Sequence, residues 1–96
     1  LINSPLHICF IKKPKFQYYK NFIHLPSNLD EEFFANLKLK NKEKIKSFKF
    51  VITNNLFKIN VYKFNLEKFN INNSVWIEKS KTKQLALPTL FKRILN

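Results

Sequence analysis

An α+β fold, a small antiparallel sheet packed against one or two helices, is what this sequence predicts. Three observations carry it. Apolar residues alternate at period two on both sides of Asn54-Asn55. Leu29, Phe33 and Leu37 recur every four residues behind an acidic start. Near the end of the chain Leu87, Leu90, Phe91, Ile94 and Leu95 make one helical stripe.

Each element has a local signal. Leu6 to Ile11 is a short apolar run closed by Lys12, Lys13 and Pro14, and it reads as a buried strand. Phe16 to Leu25 is aromatic-rich and stops at Pro26, which biases Leu25 toward extended backbone. Asn28 and Glu31 fit a variant capping box. Asp30, Glu31 and Glu32 suit the positive end of a helix, and Lys38 and Lys40 its negative end, so a helix is predicted over 29–40. Asn41 to Lys46 then reads as a polar connection.

A hairpin comes next. Phe48, Phe50 and Ile52 alternate with Lys49 and Val51, and Phe57, Ile59 and Val61 with Lys58 and Asn60. Asn54-Asn55 tolerates the left-handed backbone of a two-residue turn where no Gly is present. That turn pairs Thr53 with Leu56, Ile52 with Phe57, Phe50 with Ile59 and Phe48 with Val61, all three apolar pairs on one face. Phe69 and Ile71 suggest a further strand, Asn72-Asn73-Ser74 a turn, and Val75-Trp76-Ile77 another strand. Lys79 to Lys83 reads as a basic linker in which Thr82 can cap the last helix. Pro88 is tolerated only in a first turn, so that helix begins near it.

The 96 residues correspond to one small basic domain, 1–96. Leu, Ile, Val and Phe occupy 36 positions, well above the ~20% below which highly charged chains stay disordered. With no Gly there is no phosphate loop, dinucleotide fingerprint or glycine oxyanion turn. One Cys excludes an internal disulfide and a multi-cysteine zinc site. A helix start accounts for Asp30, Glu31 and Glu32 without chemistry. His7, Cys9 and His24 lack a fourth ligand at metal-site spacing. The inventory therefore argues against an enzyme, a cofactor or a small-molecule substrate. The longest apolar runs are far shorter than the ~18–20 residues of a spanning helix, and the N-terminal residues resemble neither a secretory signal nor a transit peptide.

Composition bears on origin. Asn, Lys, Ile and Phe fill 51 positions, while Gly, Ala, Arg and Pro fill seven. The first group has A/T-rich codons and the second G/C-rich ones, which points to an A+T-rich genome such as that of an organelle or parasite. The lack of Met leaves three readings open: a processed product, a fragment, or a start at a non-standard codon.

The lysines carry the functional expectation. A net charge of +12 from 17 Lys and Arg93 against six acids opposes compaction unless an anionic partner is present. Codon drift toward Lys inflates the count, and a charge run is commonly only a solvated face. RNA, met through lysine–phosphate contacts, is nevertheless the expected partner. The residues expected to carry it are Lys79, Lys81, Lys83, Lys92 and Arg93 first, then Lys12, Lys13, Lys15, Lys42, Lys44 and Lys46. Lys49 and Lys58 on the outside of the hairpin are expected to matter less. Tyr18, Tyr19 and Tyr62 suit base stacking as well as core edges. Two other classes compete: an accessory subunit docked on a mitochondrial membrane respiratory complex, and a winged-helix DNA binder. The three acids that open the 29–40 segment disfavour the second.

From Phe48 onward the order of hairpin, strand, strand, basic turn and helix resembles the second domain of the sixth large-subunit ribosomal protein family. Phe48-Lys-Phe-Val-Ile-Thr-Asn-Asn-Leu-Phe-Lys-Ile-Asn-Val resembles its aromatic-basic strand, polar turn and aliphatic strand. Phe69-Asn-Ile, Val75-Trp-Ile-Glu-Lys, Lys83-Gln84 and the segment from Leu85 to Ile94 are similar to its later strands, turn and helix. The family's glycines are missing, the segment near Asn72 is shorter, and its glycine-lysine-rich tail does not come after Asn96. The resemblance implies a large-subunit protein of a mitochondrial ribosome, bound to ribosomal RNA and neighbouring ribosomal proteins, without catalysis or cofactor.

Overall fold

β2, His7–Ile11, has a core on each of its faces. It belongs to a five-stranded sheet in the order β3 (Lys40–Ile52), β4 (Asn55–Asn65), β1 (Ile2–Asn3), β2 and β5 (Ser74–Glu78). The structure, a computed structural model, describes residues 1–4, 6–35, 37, 40–65 and 73–96. The other elements are α1 (Glu31–Phe34), a 3₁₀ helix (Lys79–Gln84) and α2 (Thr89–Leu95). All strand pairs are antiparallel except β1 with β4. This is an α+β fold, as expected.

Alternation along β2 divides the core. Ile8 and Phe10 face a cluster with Leu25, Ile52, Leu87, Leu90 and Phe91. Cys9 and Ile11 face the opposite side, with Ile2 and Phe33. A strand buried on both faces reads as a continuous apolar run, which is how 6–11 looks in the sequence. α2 lies on the first side through the predicted stripe: Leu87, Leu90 and Phe91 are buried, and Ile94 and Leu95 pack at the margin. Pro88 sits at its N-cap, where the missing N–H costs nothing. β5 matches the predicted strand around Val75-Trp76-Ile77.

Four expectations are corrected. The helix expected over 29–40 is the single turn Glu31–Phe34. Phe33 is buried in the second core, with Phe34 and Leu37 at its margin, while Leu29 is 49% exposed, so the Leu29–Phe33–Leu37 stripe is not buried as one helical face. Asp30 rather than Asn28 is its N-cap residue, and no side chain caps the turn. The expected polar connection 41–46 is instead the first half of β3, whose backbone finds ladder partners on β4. Lys38, and the expected Phe69–Ile71 strand and Asn72, lie outside the described residues.

The hairpin register is the third correction. Phe50 faces Phe57, Phe48 faces Ile59 and Ile52 faces Asn55, with Thr53 and Asn54 forming the turn. This is two residues from the expected register, so every apolar side chain keeps its face. The shift sets Val51 opposite Leu56 and lets Asn55 Nδ2 donate to the Tyr18 hydroxyl at 2.7 Å. Fourth, 79–83 is no linker but most of the 3₁₀ helix. Thr82 Oγ1 donates to the Lys79 carbonyl at 2.8 Å inside it rather than capping α2.

Candidate nucleic-acid interface

Register shifts in β3 decide where its lysines point. Between Lys44 and Lys46 the strand carries one extra residue relative to β4, and another lies between Lys40 and Glu43. Lys44 faces Tyr62, whereas Lys46 faces Val61. Neighbours on β4 point to opposite faces, so the bulge sends Lys44 to the outer face, and Lys46 shares the α2 side with Phe48 by simple alternation. Lys46 Nζ there donates to the Arg93 carbonyl at 3.1 Å. That carbonyl lies in the last turn of a helix, where no intrahelical donor is available.

Arg93 completes the arrangement. Its guanidinium carbon stands 4.2 Å from the Phe48 ring centroid, a cation–π contact that fixes the side chain against the edge strand. Lys46, Lys92 and Arg93 thereby line one open groove with Ser47, Phe48, Thr89 and Asn96. None of the described lining residues is acidic. Three cations at a negative helix end also complement the helix dipole.

The other expected residues lie elsewhere. Lys79, Lys81 and Lys83 are exposed on the 3₁₀ helix that comes after β5, and Lys81 Nζ is 3.9 Å from Glu78. β5 and β3 are opposite edges of the sheet, four strand spacings or about 19 Å apart. The 79–83 lysines and the α2 cations therefore flank the sheet instead of sharing one patch. Lys12, Lys13 and Lys15 occupy the loop after β2, at the end of β5 away from the 3₁₀ helix. Their backbones are pinned: Lys12 and Lys13 N–H donate to the Asn73 carbonyl and Oδ1, and Lys15 N–H to Asp30 Oδ1. Their side chains are exposed.

The outer face of the hairpin carries Lys42, Lys44, Lys49 and Lys58, all exposed. Lys49 sits directly opposite Lys58, and Lys42 Nζ lies 4.5 Å from the Tyr62 ring centroid. Sequence reasoning ranks Lys49 and Lys58 low and does not join Tyr62 to Lys42. The period-two recurrence of lysine from Lys38 to Lys46 is the available signal for a strand there. Among the described acids, Asp30 is buried and Glu78 lies beside Lys81.

His7, Cys9 and His24 do not gather, and among the described residues no three His, Cys, Asp or Glu side chains are placed to hold a metal ion. His24 is fully buried among Phe16, Tyr19 and Phe91, and its Nε2 donates to the Tyr19 carbonyl at 2.7 Å. Burial pushes the Cys9 thiol up to about 12, leaving it protonated at neutral pH. No helix among the described residues is long and apolar enough to cross a membrane. Comparison with protein-family models, curated proteins and solved structures finds no match.

Proposed function

We propose that the chain is an RNA-binding structural constituent of a mitochondrial ribosome's large subunit, holding folded ribosomal RNA through lysine–phosphate contacts. The observation that carries the RNA-binding part is the groove of Lys46, Lys92 and Arg93, in which a hydrogen bond holds Lys46 and the Phe48 ring holds Arg93, without an acid among its described lining residues. Fixed cations lose less side-chain entropy on meeting phosphate than freely rotating ones. The +12 charge supports the same reading, because a polyanion relieves its self-repulsion. The A/T-rich codon bias supports an organellar origin, and the order of hairpin, strand and terminal helix supports the ribosomal one. Neighbouring ribosomal proteins are the natural cover for exposed Val51 and Leu56.

The test has two parts. Affinity for a folded ribosomal RNA fragment is expected to fall with salt, with a log–log slope of about 0.7–0.9 per phosphate contacted. Expressed in mitochondria, the tagged chain is expected to sediment with the large ribosomal subunit. Salt-independent RNA binding would refute the lysine–phosphate mechanism, and sedimentation with detergent-extracted membranes after nuclease treatment would refute the ribosomal assignment.

A further inference from the structure

Beside β4 runs a cleft of about 440 Å³, within the size range of small-ligand sites. The hairpin supplies Lys42, Lys58, Asn60 and Tyr62 to its wall, and the 25–34 segment supplies Asn28 and Phe34. We propose that this cleft takes one unpaired nucleotide of RNA, its base stacked on Tyr62 and its phosphate on Lys42, with Lys58 meeting a neighbouring phosphate of the strand. The proposal rests on the RNA-binding reading and adds a site that distinguishes single-stranded from paired RNA.

The chemistry comes from the wall. Tyr62 is half-buried, so its ring is held by its surroundings while part of it reaches the cleft. The Lys42 ammonium lies 4.5 Å from the ring centroid and marks an electron-rich face within reach of a ligand. A base arriving on that face replaces the ammonium–ring contact with stacking and frees Lys42 to meet the nucleotide's phosphate. Lys58 adds a second exposed cation, and none of the described lining residues is acidic. Asn60 adds polar selectivity. Its Oδ1 accepts from the Ser47 hydroxyl at 3.0 Å, which orients the amide and leaves Nδ2 as the donor toward a base or ribose. A duplex keeps its bases stacked inside and has none to offer this ring.

One of these features resists a purely structural explanation. Lys49 and Lys58 face each other across the ladder, a like-charge pair that weakens the hairpin. An anion beside Lys58 offsets that repulsion.

The experiment compares labelled single-stranded oligo(A) of about ten nucleotides with a perfect RNA duplex of equal length, by fluorescence anisotropy on the full chain. Tyr62→Ala is expected to weaken single-strand binding about tenfold and to leave duplex binding within twofold, and Tyr62→Phe to restore the single-strand affinity. Lys58→Gln, a change at an exposed position, is expected to lower the single-strand salt slope by about 0.7. If Tyr62→Ala is unfolded by circular dichroism, Tyr62→Leu carries the comparison. Equal loss for both RNAs, or loss for neither, overturns the nucleotide site while the RNA-binding reading stands. A wild-type chain that binds neither RNA overturns the reading itself. Competition by free AMP as strong as by the oligonucleotide would instead assign the cleft to a soluble nucleotide and overturn the RNA proposal.

Discussion

Asp30, His24 and Cys9 are the three residues whose chemistry the fold absorbs. The Asp30 carboxylate is buried and accepts from Lys15 N–H at 3.0 Å, Ser27 N–H at 2.9 Å and Ser27 Oγ at 3.2 Å. It joins the loop after β2 to the approach of α1, so it serves as a tie between loops instead of a helix cap. His24 performs a similar task. Its ring bond holds the carbonyl of Tyr19, whose φ of 59° is left-handed and unfavourable for a residue with a Cβ. Cys9 is 0% exposed, and desolvation raises its thiol from the usual 9.0 to about 12. For a neutral acid the sign is clear: between pH 9 and 12 the unfolded chain loses this proton and the folded chain keeps it. The stability advantage of the wild type over Cys9→Ala is therefore expected to be constant below pH 9 and to shrink steadily above it. Urea denaturation at stepped pH measures this, and an advantage that grows with pH would contradict a buried neutral thiol.

The β3–β4 hairpin and α1 show how elements settle their own boundaries. The hairpin turns at Thr53-Asn54, and Thr53 carries a φ of 56°. A β-branched side chain in that region is costly, by about 1–2 kcal/mol. Thr53→Gly is expected to raise stability by about 1 kcal/mol, visible as a higher urea midpoint with an unchanged m-value. A lower midpoint would restore the Asn54-Asn55 turn read from the sequence. The strained turn persists because it brings Asn55 to Tyr18 and pairs Val51 with Leu56. α1 stops for the opposite reason. Its four-residue spacing is genuine, but Phe33 finds the core and Leu29 does not, while Lys40 onward gains a partner strand.

At the scale of the molecule, charge is spread over the rims of the sheet. The groove of Lys46, Lys92 and Arg93 lies along the β3 edge, and Lys79, Lys81 and Lys83 sit beyond the β5 edge. Sites beyond opposite edges of the sheet, edges about 19 Å apart, and without shared partners act independently. Glutamine replacement of either triple is expected to lower the RNA salt slope by roughly two to three units, and of both by roughly four to six. Free-energy losses are expected to add within about 0.5 kcal/mol. Salt titrations of the four proteins check this, and strong coupling between the triples would mean that both grip one phosphate cluster. The site was legible in the sequence as a set of cations but not as a place. Lys46 joins Lys92 and Arg93 because it continues the alternation of Phe48 and Phe50, whereas the bulge before it turns Lys44 to the other face, and a bulge leaves no mark on the lysine pattern.

The sequence by itself determined which side chains go inward. Phe48, Phe50, Phe57 and Ile59 share the face toward α2, and Leu87, Leu90 and Phe91 seal it, as their spacing requires. Those assignments depend on local periodicity, which is set by backbone geometry and survives any shift by two residues. Tertiary structure alone decided what pairs with what: the register at Phe50–Phe57, the parallel insertion of β1 beside β4, the single turn of α1, and the β3 lysines divided between two faces. Each is a choice among partners distant in the chain. It is made by which backbone groups and apolar faces find satisfaction together, and no periodicity along one segment encodes it.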